Sequence, residues 1–314
     1  MGTMKYANAV AAVRAMETFL MSRNDIEQLI NANSGTELEN LIASKRGTGN
    51  GEFSMESVWD MLKGYAPDCK ELEILLYKND FHNLKAALKS KIAGREPENF
   101  YIRPTNLDLD ALYPAISAKE YDVLPEYIRS TAEEAYDLLT RTLDGQLADS
   151  LIDTAAMKAM QKSAEKYGGN FMKKYVQLTT DCADIKTAYR CSKMKKNINF
   201  LEMAVCGSCE LDKELLVRAA VSGTEGLMSF LENTAYADAA KLLAASPAQF
   251  EKWCDDVIME IAETARMQAF GSEPLAAYYI AAEAELKNIR ILTVCKETGS
   301  DKETITERMR KLYV

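Results

Sequence analysis

The chain has 314 residues, 47% hydrophobic and 27% charged, with only 15 glycines and 7 prolines, which excludes collagen, low-complexity disorder and a small disulfide scaffold. Its 38 Lys and Arg against 47 Asp and Glu leave a net charge of −9. That balance argues against nucleic acid or anionic lipid as a broad partner, because both need a basic footprint, although local basic clusters such as Lys193, Lys195 and Lys196 are present.

In chain order, a polar but helix-patterned N-terminus leads to a short helical segment at Asn24–Leu29, then a loose hydrophilic linker at Ser44–Glu52. Ile74, Tyr77, Phe81, Leu84, Leu88 and Ile92 step by three and four, the stripe of a long amphipathic helix. Gly94–Thr105, with two prolines, is a second linker, and Leu109–Leu112 a second short helical segment. Phe171, Tyr175, Leu178, Cys182, Ile185 and Tyr189 form a second stripe, followed by the short segment Leu211–Leu215. Ser246-Pro247 has the form of an N-cap with proline at the first helical position, and Ser272 with Pro274 a related form. Leu275, Tyr279, Ala282, Leu286, Ile289 and Thr293 make the third stripe. Alternating strands with tight turns are missing, so the expected fold is all-α. The longest apolar run, Leu275–Ala282, stops at Glu283 and falls short of the roughly 18 residues of a membrane span.

The three stripes superpose on Leu84, Ile185 and Ile289, which lie 101 and 104 residues apart. Around each anchor stands an acid (Asp80, Asp181, Glu285), an Asn or Asp (Asn83, Asp184, Asn288) and a base (Lys85, Lys186, Arg290). Together with the short segments upstream, this predicts three similar helical repeats in tandem, over residues 1–105, 106–208 and 209–314. On a helix the acid falls about 40° from the anchor, at the edge of the apolar stripe, and five residues from the base, too far to pair with it. A half-buried carboxylate with no partner on its own helix needs one elsewhere. These nine positions are therefore expected to tie neighbouring helices or repeats together; direct contact with a partner protein is the other reading.

Tyr6-Ala-Asn-Ala-Val-Ala-Ala-Val-Arg-Ala-Met-Glu17, Asn79-Asp-Phe-His-Asn-Leu-Lys85, the stretch Glu273–Leu292 and the ending Glu307–Val314 resemble the C subunit of the V-type (archaeal and bacterial A/V-type) ATPases, the counterpart of the d subunit of eukaryotic V-ATPases. The likeness runs from end to end, although residues 110–170 match only by pattern and Tyr278-Tyr279 is bulkier than the usual aliphatic pair. The resemblance implies a funnel of three helical repeats about a pseudo-threefold axis. It implies a non-catalytic rotor part, without cofactor, on the cytoplasmic side of the membrane. One face would receive the D and F subunits of the central stalk and the other the membrane proteolipid (c/K) ring, linking ATP hydrolysis or synthesis to proton or sodium transport. The alternative is a free-standing helical-repeat adaptor that binds some other protein.

The residues that could carry chemistry give weaker patterns. Asp255-Asp256-Val-Ile-Met-Glu260 is similar to an element that holds magnesium diphosphate, but no second element of that spacing accompanies it, and a solvated helix face is expected. Cys206-Gly-Ser-Cys209 lacks the βαβ setting of a redox motif, and only Cys182 and Cys191 could complete a zinc site. The seven cysteines read as free thiols in a reducing cytoplasm. His82, the only histidine, would have to serve any Ser-His-Asp or Cys-His catalysis, yet the other copies have Ala183 and Lys287 there. Gly47-Thr-Gly-Asn-Gly51 lacks the Lys-Ser/Thr of a phosphate loop and reads as a linker. No catalytic, cofactor or metal residue is expected.

Overall fold

The computed structural model describes residues 6–32, 34–46 and 53–314, and every regular element among them is helical. The helices are α1 (Ala7–Glu17), α2 (Arg23–Asn31), α3 (Gly35–Arg46), α4 (Met55–Tyr65), α5 (Lys70–Glu73), α6 (Tyr77–Ala93), α7 (Leu109–Ala118), α8 (Glu126–Thr142) and α9 (Gly145–Tyr167). They continue with α10 (Asn170–Lys193), α11 (Ile198–Ala204), α12 (Lys213–Val221), α13 (Thr224–Leu231), α14 (Ala237–Ala245), α15 (Pro247–Thr264), α16 (Glu273–Glu297) and α17 (Lys302–Arg308). The first three residues of the expected linker Ser44–Glu52 thus belong to α3, and the glycine-rich stretch 47–51 lies outside the described residues.

The chain divides into two compact units, one made of the N-terminal part to Cys69 with Ala239–Val314, the other of Lys70–Asp238. In the continuous unit, α6 packs on α7, α8 and α9, α9 packs on α10 and α11, and α10 packs on α12 and α13. One core of this unit joins Phe81, Leu84 and Leu88 of α6 to Leu112 and Ile116 of α7, Ile128 of α8 and Ile152 of α9. Ala132, Ala135, Ala148 and Ala156 line the α8 and α9 side of this core, where the missing side-chain bulk lets the helices approach closely. Each large aliphatic side chain so buried contributes about 1.5–3 kcal/mol. The α6 stripe ends at Leu88, because Ile92 is 43% exposed.

In the discontinuous unit, α1, α3, α4 and α15 pack around α16. The N-terminal half of α16 is buried on every face from Pro274 to Ala282, so Tyr278 and Tyr279 fill interior space, and Trp59 of α4 meets the Tyr279 ring edge-on at 6.0 Å. Met21, Ile26, Leu29 and Leu38 pack with Leu292, Cys295, Ile305 and Met309 in a second cluster of this unit.

The three short segments share a local device. α2, α7 and α12 begin at the side-chain caps Ser22, Asp108 and Asp212. The residue before each cap (Met21, Leu107, Leu211) and the fourth after it (Ile26, Leu112, Leu216) are all buried, the arrangement of a hydrophobic staple. Sequence matching on the leucines alone puts the third segment out of register, because Leu211 precedes its cap whereas Leu109 follows one. At α15 the expected cap is present, Ser246 Oγ accepting from the Ala248 N–H, whereas α16 starts without a side-chain cap from Ser272.

Candidate functional site

The polar positions of the sequence repeat are where burial and polarity conflict most sharply. Asp80, Asn83, Asp181, Asp184, Glu285 and Asn288 are all buried. A buried polar group must find partners, so their bonding reveals what each does.

Asp80 takes four donors. Oδ1 accepts from Thr105 Oγ1 at 2.5 Å and the Asn106 N–H at 2.8 Å, and Oδ2 from Asn106 Nδ2 at 2.8 Å and the Tyr127 hydroxyl at 2.7 Å. Tyr127 is held in place by stacking on Tyr77 at 4.2 Å. Asp181 Oδ2 accepts from the Tyr236 hydroxyl and from Gln177. Glu285 Oε2 accepts from the Met21 N–H at 2.6 Å. Burial raises the carboxyl pKa of Asp80 and Asp181 although these donors pull the other way. Asn106 lies two residues before the cap of α7 and Met21 one residue before the cap of α2, so Asp80 and Glu285 both grip the start of a short helix. The partners of Asp80 are neutral N–H and O–H groups, not the basic side chains that charge pairing suggests.

The second position explains why the repeat alternates Asn with Asp. Asn83 donates from Nδ2 to the Ile102 carbonyl at 2.9 Å and accepts the Ile102 N–H on Oδ1 at 2.7 Å. Asn288 does the same with Arg310, at 3.2 and 2.8 Å. Asp184 instead faces two consecutive N–H groups, Cys206 at 2.9 Å and Gly207 at 2.6 Å. One donor and one acceptor call for an amide, whereas two donors call for a carboxylate. Gly207 has φ +82, a conformation side chains disfavour, and a Cβ there would press on Lys213.

The third position is not a common element. Lys85 pairs with Asp153 of α9 at 2.5 Å, a surface contact worth less than about 1 kcal/mol. Lys186 is half-buried, and Arg290 is exposed with no ion-pair partner among the described residues.

Burial outweighs the two backbone donors and pushes the Asp184 carboxyl up to about 6. In the unfolded chain it titrates near 4, so between about pH 4 and 6 the folded protein holds a proton that the unfolded chain has released. The stability this group supplies is complete below pH 4 and is lost as the pH rises through 6, a change of about 3 kcal/mol. Urea unfolding of wild type and Asp184→Asn should therefore show wild type losing ground as the pH rises from 4 to 7. A constant difference between the two would contradict this.

The other chemical candidates have structural roles or none. Asp255 does not lie on a solvated face: it takes Arg310 at 2.8 Å and Lys287 at 2.5 Å. Asp256 accepts the Lys311 N–H at 2.7 Å and pairs with Lys252 at 2.8 Å. With Asn288 the two acids hold the C-terminal segment on α15 and α16; in sequence they look surface-bound because their partners in that segment, Arg310 and Lys311, are 55 residues away. Tyr127 and Tyr236 carry no sequence signal for the same reason. All seven cysteines are free thiols; Cys206 is pushed up to about 11 by burial, which keeps it protonated. His82 is exposed, its Nε2 3.2 Å from the Phe100 carbonyl. Among the described residues no group of three or more His, Cys, Asp or Glu is placed to hold a metal ion, and no helix is long and apolar enough to cross a membrane.

The family model described as ATP synthase (C/AC39) subunit matches residues 9–308. The chain belongs to this family. Two relatives cover it at low identity. The C subunit of the V-type sodium ATPase of Enterococcus hirae is 24% identical over 326 aligned residues, covering 99% of each chain. The C subunit of the A-type ATP synthase of Methanocaldococcus jannaschii is 22% identical over 334, covering 91% of this chain and 82% of the relative. The all-α fold agrees with the expectation from sequence.

Proposed function

We propose that the chain is a non-catalytic central-stalk part of a rotary ATPase, joining the D and F subunits to the membrane proteolipid ring from the cytoplasmic side. The observation that carries this reading is the extent of the family match, residues 9–308, with a relative named as a C subunit aligned over 99% of both chains. A match of that extent spans nearly the full length of that relative, not a short shared module. The bonding of the buried polar groups supports it. Asp80, Asp184, Asn83 and Asn288 spend their bonding capacity on the chain's own backbone and hydroxyls, which stiffens a body that has to transmit torque.

The threefold repeat belongs to the same reading. Three capped and stapled short helices, and three long helices each bearing a buried acid, are its support. In this arrangement the acid of the first copy grips the start of the second copy's first short helix, Asp181 of the second reaches Tyr236 of the third, and Glu285 with Met21 closes the third copy on the first. Ties of this kind between copies are the role we assign to the repeated polar positions.

The test is reconstitution with purified D and F subunits and the detergent-solubilised ring from the same organism. The chain should co-elute with both, and complexes lacking it should hydrolyse ATP without moving ions. Intact, coupled rotary complexes purified from cells deleted for the chain would overturn the proposal and favour the free-standing adaptor.

A further inference from the structure

The discontinuous unit carries a groove of about 990 Å³ between α15, α16 and α17. Its apolar lining includes Trp253 of α15 and Ile291 and Val294 of α16, and Val294 is 49% exposed. Four cations line it, Lys252, Arg290, Arg308 and Arg310, against two carboxylates, Asp256 and Glu307, in a chain whose net charge is −9. Two of the cations are already used: Lys252 pairs with Asp256, and Arg310 with Asp255. The other two are not. Arg290 has no ion-pair partner among the described residues, and the Arg308 guanidinium reaches only the Cys295 sulfur, at 3.7 Å.

We infer that this groove docks an acidic amphipathic helix of a partner protein, independently of the rotary reading. A groove between three helices with apolar side chains from two of them suits the ridge of a further helix, whose i, i+3, i+4 and i+7 side chains lie in one row. Trp and Arg are the residues that most often anchor such interfaces, and Trp253 with Arg290 and Arg308 supplies them. Two arginines without carboxylate partners, in an otherwise acidic chain, select acidic side chains flanking that ridge. An anionic bilayer is the poorer fit. Membrane attraction grows by about 1 kcal/mol for each Lys or Arg at the surface, and two unpaired cations inside a concavity give little of it.

The probe is a capped 18-residue synthetic helix with Leu at i, i+3, i+4 and i+7 and Glu on both flanks, titrated into the full chain. Binding is followed by the fluorescence of Trp253; the other tryptophan, Trp59, is buried. The expected result is saturable binding that weakens with salt. Binding should drop at least about tenfold, or about 1.4 kcal/mol, when the flanking Glu are replaced by Gln and again in the R290E/R308E chain. Both arginines are exposed, so that variant should melt with wild type; R290Q/R308Q serves as the milder version should it not. Equal binding of the Glu and Gln peptides, or full binding by R290E/R308E, would overturn the inference. So would preferential binding of phosphatidylglycerol vesicles, or a concentration-dependent dimer that R290E/R308E abolishes, since these make the occupant a membrane or a second copy.

Discussion

Asp80→Ala should cost the fold about 3–5 kcal/mol, because it removes the acceptor shared by four donors that are left without a partner. The side chain is fully buried, and its loss strands Thr105 Oγ1, the Asn106 N–H, Asn106 Nδ2 and the Tyr127 hydroxyl together. Each buried donor left without an acceptor carries a penalty of about 1–3 kcal/mol, partly offset because burial disfavours the charged carboxylate in the first place. Asp80→Asn should cost less, about 1–2 kcal/mol, since the amide keeps one acceptor and the Tyr127 hydroxyl can turn to accept from its NH2. Tyr127→Phe should cost about 1 kcal/mol in wild type and nearly nothing in Asp80→Ala, a coupling that a double-mutant cycle in urea would measure. An Asp80→Ala chain as stable as wild type would mean that this carboxylate is held for a partner protein and not for the fold.

The apolar framework was legible because it is local. A stripe repeats within one helix, and Leu84 and Ile185, chosen as anchors from spacing alone, are fully buried. The third anchor, Ile289, is only half-buried, because α16 is enclosed on all faces nearer its N-terminus and its apolar content there no longer marks one side. The polar positions were found by repetition, but their partners were not, for two physical reasons. The partners lie far along the chain, 47 residues on for Tyr127 and 264 back for Met21. They are also uncharged, whereas pairing rules look for a base, and bases such as Lys85 end in exposed ion pairs. The fine choice between Asn83 and Asp184 could be read as class only. Which residue is needed depends on whether the neighbouring backbone presents a carbonyl with an N–H or two N–H groups, and that follows from the path of the loop at 102 and at 206.

That dependence predicts a second large effect. Asn83→Asp changes one atom yet sets an acceptor oxygen 2.9 Å from the Ile102 carbonyl where the amide donated, and places a second buried carboxylate one helical turn from Asp80. At pH 7 the variant should lose about 3–5 kcal/mol, the scale for an uncompensated buried charge. The new carboxyl must then be raised in pKa, because burial, the facing carbonyl and Asp80 all disfavour its charged form. Once protonated it has one O–H donor and one acceptor, the pattern of the amide it replaces, so most of the loss should return on acidification. The sign follows from proton counting: a folded-state pKa above the unfolded value near 4 makes stability fall as pH rises through that interval. Asn288→Asp should behave alike against Arg310, with the buried Glu285 one turn away in the place of Asp80, and should lose a comparable amount. Urea unfolding of the three chains from pH 4.5 to 7.5 reads this directly. If Asn83→Asp stayed equally unstable across that range, the damage would be steric, and the match between side chain and backbone polarity would not be what fixes the residue at this position.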